Sequence, residues 1–278
     1  MRVMIVGGRS ALAQALKPAL AEFAEVITAG RHGCDVSVDL AASPVAIALP
    51  VGLDAVVNAA ALASGDTTTM ESVNALGVLK LCRACAKASS GGLVQVSSIF
   101  ATLAETSPFF GAYALSKRHG EELARLTCSE SGLPLAILRP SRLYGVGAAQ
   151  RRHQPLLGTI IDRAAVGADI EFHGDHDAVR NFLHMEDLAA IVARVVRNGV
   201  TGTFNCLGGE DLPLSAIAAA AIGAFGSASP VRFRRDLPAI PDCVFPADDQ
   251  LYERIGIRPS ISMVQGMRME AMQRRAAR

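Results

Sequence analysis

Short, unbroken apolar runs alternate with longer stretches of helical periodicity through the first half of the chain. Val3–Val6 reads as a strand and Ala11–Phe23 as a helix, followed by strands at Glu25–Ala29 and Asp35–Val38. A strand at Asp54–Ala60, a long helix at Met70–Ala88, a strand at Leu93–Ser97, a helix at Ala112–Ser131 and a strand at Leu135–Leu138 continue the series. Strands that are apolar throughout, rather than at every second residue, are buried on both faces. Their alternation with helices predicts an α/β fold built on a doubly wound parallel sheet.

After Tyr144-Gly145 the pattern changes. Gly147–Leu157 is polar and basic, a helix follows near Thr159–Val166, a short strand near Ile170–Phe172, and a polar turn at His173–Asp177. Pro213, Pro230, Pro238, Pro241, Pro246 and Pro259 punctuate the remainder. The expected division is a sheet domain over 1–145, with 178–200 returning to it, and a small irregular C-terminal lobe over 146–278. A lobe of this kind shapes a substrate pocket over the strand ends. The chain has neither an internal repeat nor a low-complexity tract.

Composition narrows the class. Half of the 278 residues are hydrophobic and the formal net charge is +1, without a long basic run. That balance fits a globular protein and argues against a nucleic-acid surface, which needs many cations to neutralise phosphates. Arg274-Arg275-Ala276-Ala277-Arg278 reads as a solvated helix end. No apolar stretch approaches the roughly 18 residues of a spanning helix, and Gly7-Gly8-Arg9-Ser10 interrupts the apolar start too early for a leader. Neither a membrane nor a nucleic acid is an expected partner, and the expected location is cytoplasmic. The six cysteines show no framework spacing, and Cys82-x-x-Cys85 falls inside a helical pattern, where packing explains it better than redox chemistry.

Three groups of residues carry chemistry. The first is the turn after the first strand, Val6-Gly7-Gly8-Arg9-Ser10-Ala11-Leu12-Ala13. A dinucleotide site needs a tight turn, close backbone approach to the pyrophosphate, and a helix N-terminus aimed at it. Gly7, Ser10 and Ala13 are small residues at the three positions where such turns usually carry glycine. The second group follows the second strand. A carboxylate there, about 20 residues beyond the turn, reads the ribose 2′-hydroxyl of NAD. This chain has Thr28-Ala29-Gly30-Arg31-His32 instead. The planar fork of Arg31 suits a 2′-phosphate, with Arg9 able to help, so NADP(H) is favoured over NAD(H). Asp39 and Leu40 are placed to meet the adenine.

The third group is Tyr113-Ala114-Leu115-Ser116-Lys117, at the start of a helix, which puts the phenol and the amine one turn apart on one face. A phenol near pKa 10 shuttles protons poorly at neutral pH, and a neighbouring ammonium is expected to favour its phenolate form. Ser97-Ser98, at the end of a buried strand, brings a hydroxyl to the same place.

Together these motifs resemble the extended short-chain dehydrogenase/reductase family, the Rossmann-type NAD(P)-dependent epimerases, dehydratases and ketoreductases of nucleotide sugars. Asn58-Ala59-Ala60 is similar to the family's motif beside the cofactor, and Asn74 to the asparagine that supports its active site. Leu138-Arg139-Pro140-Ser141-Arg142-Leu143-Tyr144-Gly145 resembles the segment whose backbone lies against the nicotinamide. Arg180-Asn181-Phe182-Leu183-His184-Met185-Glu186-Asp187-Leu188 resembles the signature whose arginine grips a substrate diphosphate. Gly256-Ile257-Arg258-Pro259 and Gly266 are similar to the family's ending. The resemblance implies Ser98, Tyr113 and Lys117 as catalytic residues and Ser98 and Arg180 as substrate contacts. It implies Gly7, Arg9, Ser10, Ala11, Leu12, Arg31, Asp39, Leu40, Ala59, Ala60, Tyr113, Lys117, Pro140 and Leu143 at the cofactor. No metal is implied: His173, Asp175, His176 and Asp177 read as a solvated loop. His184 reads as a buried hydrogen-bonding residue.

Departures from the family pattern choose among its activities. Dehydratases carry Asp-Glu after the catalytic Ser/Thr, where this chain has Ile99 and Phe100, which transfer no protons. The expected activity is reduction of a keto group, on a nucleotide sugar, by an NADP(H)-dependent enzyme. A 4-epimerase using the same trio is the alternative, and a catalytically silent cofactor-binding regulator is the alternative of another class. The long helices Met70–Ala88 and Ala112–Ser131 make a homodimer the expected assembly.

Overall fold

Unbroken apolar strands pair in parallel, as their burial on both faces requires. The computed structural model describes residues 1–41, 47–147 and 154–277. In chain order its elements begin β1 (Arg2–Val6), α1 (Ala11–Ala21), β2 (Glu25–Gly30), β3 (Val36–Ser37), β4 (Ala55–Asn58), α2 (Thr67–Glu71), α3 (Gly77–Lys87) and β5 (Leu93–Val96). They continue with α4 (Ala112–Ser131), β6 (Leu135–Pro140), β7 (Arg142–Tyr144), α5 (Pro155–Val166), β8 (Ile170–His173), β9 (Val179–His184) and α6 (Met185–Asn198). The last are β10 (Gly202–Cys206), β11 (Asp211–Pro213), α7 (Leu214–Phe225), β12 (Val231–Arg234), α8 (Gln250–Ile255) and α9 (Met263–Ala276). Residues 148–153 of the polar, basic stretch lie outside the described residues, as does Arg278.

The chain divides into two compact units. The first comprises Met1–Pro140, Leu188–Cys206 and Asp248–Ile257. Its seven-stranded sheet runs β10-β6-β5-β4-β1-β2-β3, and every pair is parallel. Strand order reverses beside β1, which lies between β2 and β4, and such a switch point opens a crevice at the carboxyl ends of the strands. Val3, Met4 and Ile5 in β1 and Val56 and Val57 in β4 are fully buried, the sheet's apolar centre.

One expected helix is broken. In place of a single helix over Met70–Ala88, α2 and α3 are joined by a π-helical turn at Ser72–Leu76. Hydrophobic spacing does not resolve one widened turn, and packing against α4 explains it. Gly120 of α4 sits against the carbonyl of Asn74, and a Cβ at residue 120 would overlap that oxygen. Cys82 and Cys85 of α3 pack with Cys128 of α4 in the apolar core, and burial pushes the Cys85 thiol up to about 12.

The second unit comprises Ser141–Asp187, Leu207–Ala247 and Arg258–Arg278. A three-stranded sheet, β11-β9-β7, and a parallel pair, β12-β8, carry a core that includes Phe172, Ile217 and Met267. The lobe is more regular than its prolines suggest. Pro155 opens α5 and Pro213 caps α7, so both mark helix starts, while Pro238, Pro241 and Pro246 fall between β12 and α8. The boundaries also differ from 1–145 and 178–200. β7 and β9 pair with each other in the second unit, and the segments returning to the first are 188–206 and 248–257. Arg274 is no solvated helix end: it pairs with Glu270 at 2.7 Å and Asp162 at 2.6 Å.

The contact between Gly120 and Asn74 is a steric limit with a measurable cost. Gly120→Ala lowers the unfolding free energy by about 3 kcal/mol, because neither backbone can retreat. Urea unfolding followed by circular dichroism reads it, and a midpoint equal to the parent's contradicts the packing.

Candidate active site

The turn after β1 is fixed by two glycines, for two reasons. Gly7 has φ +82°, and a Cβ there would lie 2.8 Å from the Ala60 nitrogen. Its N–H and that of Gly8 both donate to the Ala29 carbonyl, at 2.9 and 3.0 Å. At Gly8 a Cβ would come within 2.7 Å of the Thr28 side chain. The remaining small positions need no glycine. Ser10 has φ −66° and caps α1, its Oγ accepting from the Ala13 N–H at 3.1 Å, and Ala13 is fully buried.

Beside this turn lies a cleft of about 480 Å³ within the first unit. Gly7, Arg9, Ser10, Arg31, Asp39, Leu40 and Ala60 line it, so half of the expected cofactor contacts meet in one place, while Tyr113, Lys117, Pro140 and Leu143 lie outside its lining. Ala11, Leu12 and Ala59 do not line it. Leu12 is buried in packing, and Ala59 donates to the Val6 carbonyl at 2.9 Å, holding β4 against β1. The sequence reading missed His32, Cys34, Thr69 and Val73, which also line it. His32 was signalled by its place beside Arg31; Thr69 and Val73 arrive only through α2 and the π turn.

The charge in this cleft is mostly basic. The Arg9 side chain runs past Gly33, in the loop between β2 and β3, with its Nη1 3.6 Å from where a Gly33 Cβ would be. Arg9, Arg31 and His32 are exposed, and Asp39 is the one carboxylate among the described lining residues. Asp35, also near the end of β2, is turned back onto that strand. It accepts from the Thr28 N–H at 2.8 Å and the Thr28 hydroxyl at 2.7 Å, which hold it below the usual carboxylate range.

Ser98, Tyr113 and Lys117 meet at the end of β5. Ser98 is extended and its Oγ accepts from the Phe100 N–H at 3.2 Å, capping a short 3₁₀ turn. The same hydroxyl lies near the Tyr113 phenol and favours its phenolate form. Lys117 is 3% exposed, and its Nζ donates to the Val96 carbonyl at 3.0 Å. Asn74 braces the group. Its amide exchanges two 2.8 Å bonds with the Leu62 backbone and donates at 3.1 Å to Ser116, which donates to the Tyr113 carbonyl at 3.0 Å.

The electrostatics differ from expectation at Tyr113. Its phenol is pushed up from the ordinary value, by burial first, with the Ser98 hydrogen bond opposing. The ammonium expected to lower it is directed at the Val96 carbonyl instead. Burial also draws Lys117 down to about 8, against the opposing charge of Glu121. Glu121, which the sequence reading missed although it lies one turn beyond Lys117, is 2% exposed and accepts from Ser97, Arg125 and Arg139.

The other expected site residues are placed as follows. Pro140 ends β6 in the first unit, and Leu143 lies in β7 of the second. Arg180 of the second unit is 3% exposed, and its Nη1 donates to the Val179 and Pro241 carbonyls, each at 2.8 Å. His184 is 1% exposed, and its Nδ1 accepts from the Glu186 N–H at 3.3 Å. His176 pairs with Asp242 and Asp177 with Ser215. No group of three or more His, Cys, Asp or Glu among the described residues is arranged to hold a metal. Nor is any helix among them long and apolar enough to cross a membrane.

The chain is similar to known proteins in sequence and in fold. The model of the NAD dependent epimerase/dehydratase family matches residues 3–206. A dTDP-4-dehydro-6-deoxy-D-allose reductase of Streptomyces bikiniensis is 32% identical over 128 residues, 45% of this chain and 38% of that protein. The chain therefore matches under half the length of this curated relative. The fold is similar to that of the Thermus thermophilus UDP-glucose 4-epimerase in complex with NAD, with a TM-score of 0.76 and 23% identity over all of both chains. It is also similar to RMD from Pseudomonas aeruginosa complexed with NADPH, with a TM-score of 0.78 and 17% identity over all of both chains.

Holding a lysine this deep costs stability. Its folded value, about 8, lies below the 10.5 of a free lysine, so the unfolded chain holds the proton more tightly. Stability from this group therefore rises with pH between those values, and the full penalty applies below about 8. Lys117→Met raises the unfolding free energy at pH 7 by about 2 kcal/mol, the relieved penalty less about 1 for the lost hydrogen bond. Denaturant titration reads the gain, and a loss of stability contradicts it.

Proposed function

This chain belongs to the NAD dependent epimerase/dehydratase family, and we propose that it reduces a keto group on a nucleotide-activated sugar, with NADPH as the reductant. The observation that carries the reading is the Ser98–Tyr113 hydroxyl pair beside a buried lysine, with a tyrosine that burial keeps protonated.

The cleft fits a dinucleotide. Gly7 leaves room for close backbone approach, and α1 begins at the turn. Arg9 and Arg31 supply positive charge where a 2′-phosphate would lie, with His32 beside them, and the nearby Asp35 is occupied by Thr28. Bound there, the dinucleotide supplies a hydride for the carbonyl carbon of the substrate. As the C=O electron pair moves onto oxygen, Tyr113 gives that oxygen its proton and Ser98 hydrogen-bonds it, so the product is an alcohol. A phenol shifted upward is suited to donating. The Ser98 hydroxyl favours the phenolate left behind, and the Lys117 ammonium is assigned to orienting the nicotinamide ribose. Arg180, one end of its guanidinium fixed by two carbonyls, is assigned to a phosphate of the carrier nucleotide.

Ile99 and Phe100 leave no acid and base for dehydration. A 4-epimerase would use the same trio, oxidising and re-reducing one carbon with the dinucleotide retained. Product analysis separates the two. Stoichiometric NADPH consumption with an alcohol product supports the reductase, and an isomerised sugar without net consumption overturns it.

Cofactor choice is tested on stripped protein by fluorescence titration. The expected result is tighter binding of NADPH than of NADH, with Arg31→Ala weakening NADPH about tenfold and leaving NADH nearly unchanged. Preference for NADH in the parent defeats this part of the proposal.

The pH profile follows from the site. Reduction needs Tyr113 protonated and Lys117 charged. Tyr113 is shifted up, so Lys117 sets the alkaline limb, and kcat falls as pH rises past about 8. A kcat flat to pH 10 excludes this assignment.

A further inference from the structure

Glu121 is among the most deeply buried charges of the first unit, 2% exposed, and it joins three elements that carry the site. From the end of β5 the Ser97 hydroxyl donates to Oε1 at 2.6 Å. From β6 Arg139 donates through Nε at 2.9 Å to Oε1 and through Nη2 at 2.6 Å to Oε2, a bidentate fork. From its own helix Arg125, one turn on, donates to Oε2 at 2.6 Å. Lys117 lies one turn the other way, so the carboxylate sits between an ammonium and a guanidinium along α4.

We propose that Glu121 is a positioning residue for Ser98 and Lys117. Through Ser97 it sets which way the Ser98 hydroxyl points, and from the next turn of α4 it holds Lys117 as an ammonium ion.

The first part follows from strand geometry. Successive side chains of an extended segment point to opposite faces. Ser97 and the extended Ser98 therefore leave the chain in different directions and both reach α4, Ser97 at Glu121 and Ser98 near Tyr113, so anchoring Ser97 fixes the strand end from which Ser98 projects. The preceding residue, Val96, supplies the carbonyl that receives Lys117. One buried carboxylate thus holds the strand end whose neighbouring residues meet both catalytic partners on α4.

The second part follows from charge. One carbonyl is a poor substitute for water around a buried ammonium, and Glu121 is the group whose charge opposes that desolvation. The charged groups facing Glu121 are Lys117 and Arg125 on α4 and Arg139 on β6, while β5 offers the neutral Ser97 hydroxyl. Two guanidiniums partly cancel the carboxylate, so its effect on Lys117 is a balance that substitutions can move either way.

The inference rests on Ser98, Tyr113 and Lys117 as the catalytic trio, but its test needs no substrate. The chain has four lysines, Lys17, Lys80, Lys87 and Lys117. Labelling their Cε carbons resolves them by NMR, with Lys117→Met identifying the signal, and the titration midpoint of Lys117 is read in the folded protein. In Glu121→Gln the midpoint falls by on the order of one pH unit, since the charge is lost and the shape kept. General loosening would instead admit water and raise it toward the free lysine value, so an unchanged or raised midpoint overturns the proposal. Arg125→Gln, at a largely solvent-facing guanidinium, leaves Glu121 less neutralised and moves the midpoint up. Should Glu121→Gln not fold, this second variant decides alone, and no upward movement overturns the proposal. A midpoint that moves as expected in a protein that reduces no keto-sugar would leave Glu121 as the anchor of Lys117 while removing the proposed reaction.

Discussion

A charge taken out of water has to be solvated by the protein, and in this chain that constraint organises the site. Lys117 is buried at the end of β5, where its ammonium donates to the carbonyl of Val96. The carbonyl is in place only because β5 lies in register between β4 and β6, with Val96 opposite Leu138. The ammonium is in place only because α4 is held by Asn74 at its second turn and by Glu121 at its third. If any of these shifts, the lysine is left buried with too few partners, at a cost of several kcal/mol. The geometry that suits proton transfer is therefore also the geometry in which the buried charges are tolerable.

Gly120 shows how backbone shape serves the same end. The π turn at Ser72–Leu76 brings the Asn74 carbonyl against α4, where only a residue without a side chain fits. The Asn74 side chain then reaches both Leu62 and Ser116, joining the segment after β4 to the helix that carries Tyr113 and Lys117. π turns inside α-helices recur at functional sites because they re-aim one residue without ending the helix. Here the re-aimed residue is a brace, and the price is a local break that hydrophobic spacing does not record.

Much of the fold was legible because burial on both faces writes itself into sequence as continuous apolar runs. The parallel sheet was readable this way, α4 to the residue from its helical pattern, and the grouping of Arg9, Arg31 and Asp39 near the glycine turn from motif. What stayed hidden depends on partners distant in sequence. The strands of the second unit are short and their pairings non-local, so β7 with β9 and β8 with β12 left no periodicity to read. Glu121 looks like any helix-face carboxylate until Ser97 and Arg139 are brought to it. The upward shift of Tyr113 is a property of its burial, which the spacing to Lys117 does not encode.

The glycine turn shows how a departure from a family pattern is to be weighed. Serine and alanine at two of three glycine positions look like a weakened dinucleotide site if each glycine is taken to be indispensable. The backbone makes separate demands at each. Gly7 alone of the three combines a left-handed conformation with contact against Ala60, so a side chain is excluded there twice over. Ser10 has ordinary backbone angles, and its hydroxyl satisfies an N–H in the first turn of α1 that a glycine would leave to solvent or ligand. Ala13 packs with no exposed surface, and its methyl fits. The substitutions thus keep the turn and strengthen the helix start, but they also occupy one of the N–H groups that a pyrophosphate could have used. On this balance the turn survives as architecture, while more of any hold on a dinucleotide would fall to the side chains of Arg9, Arg31 and His32 in the same cleft.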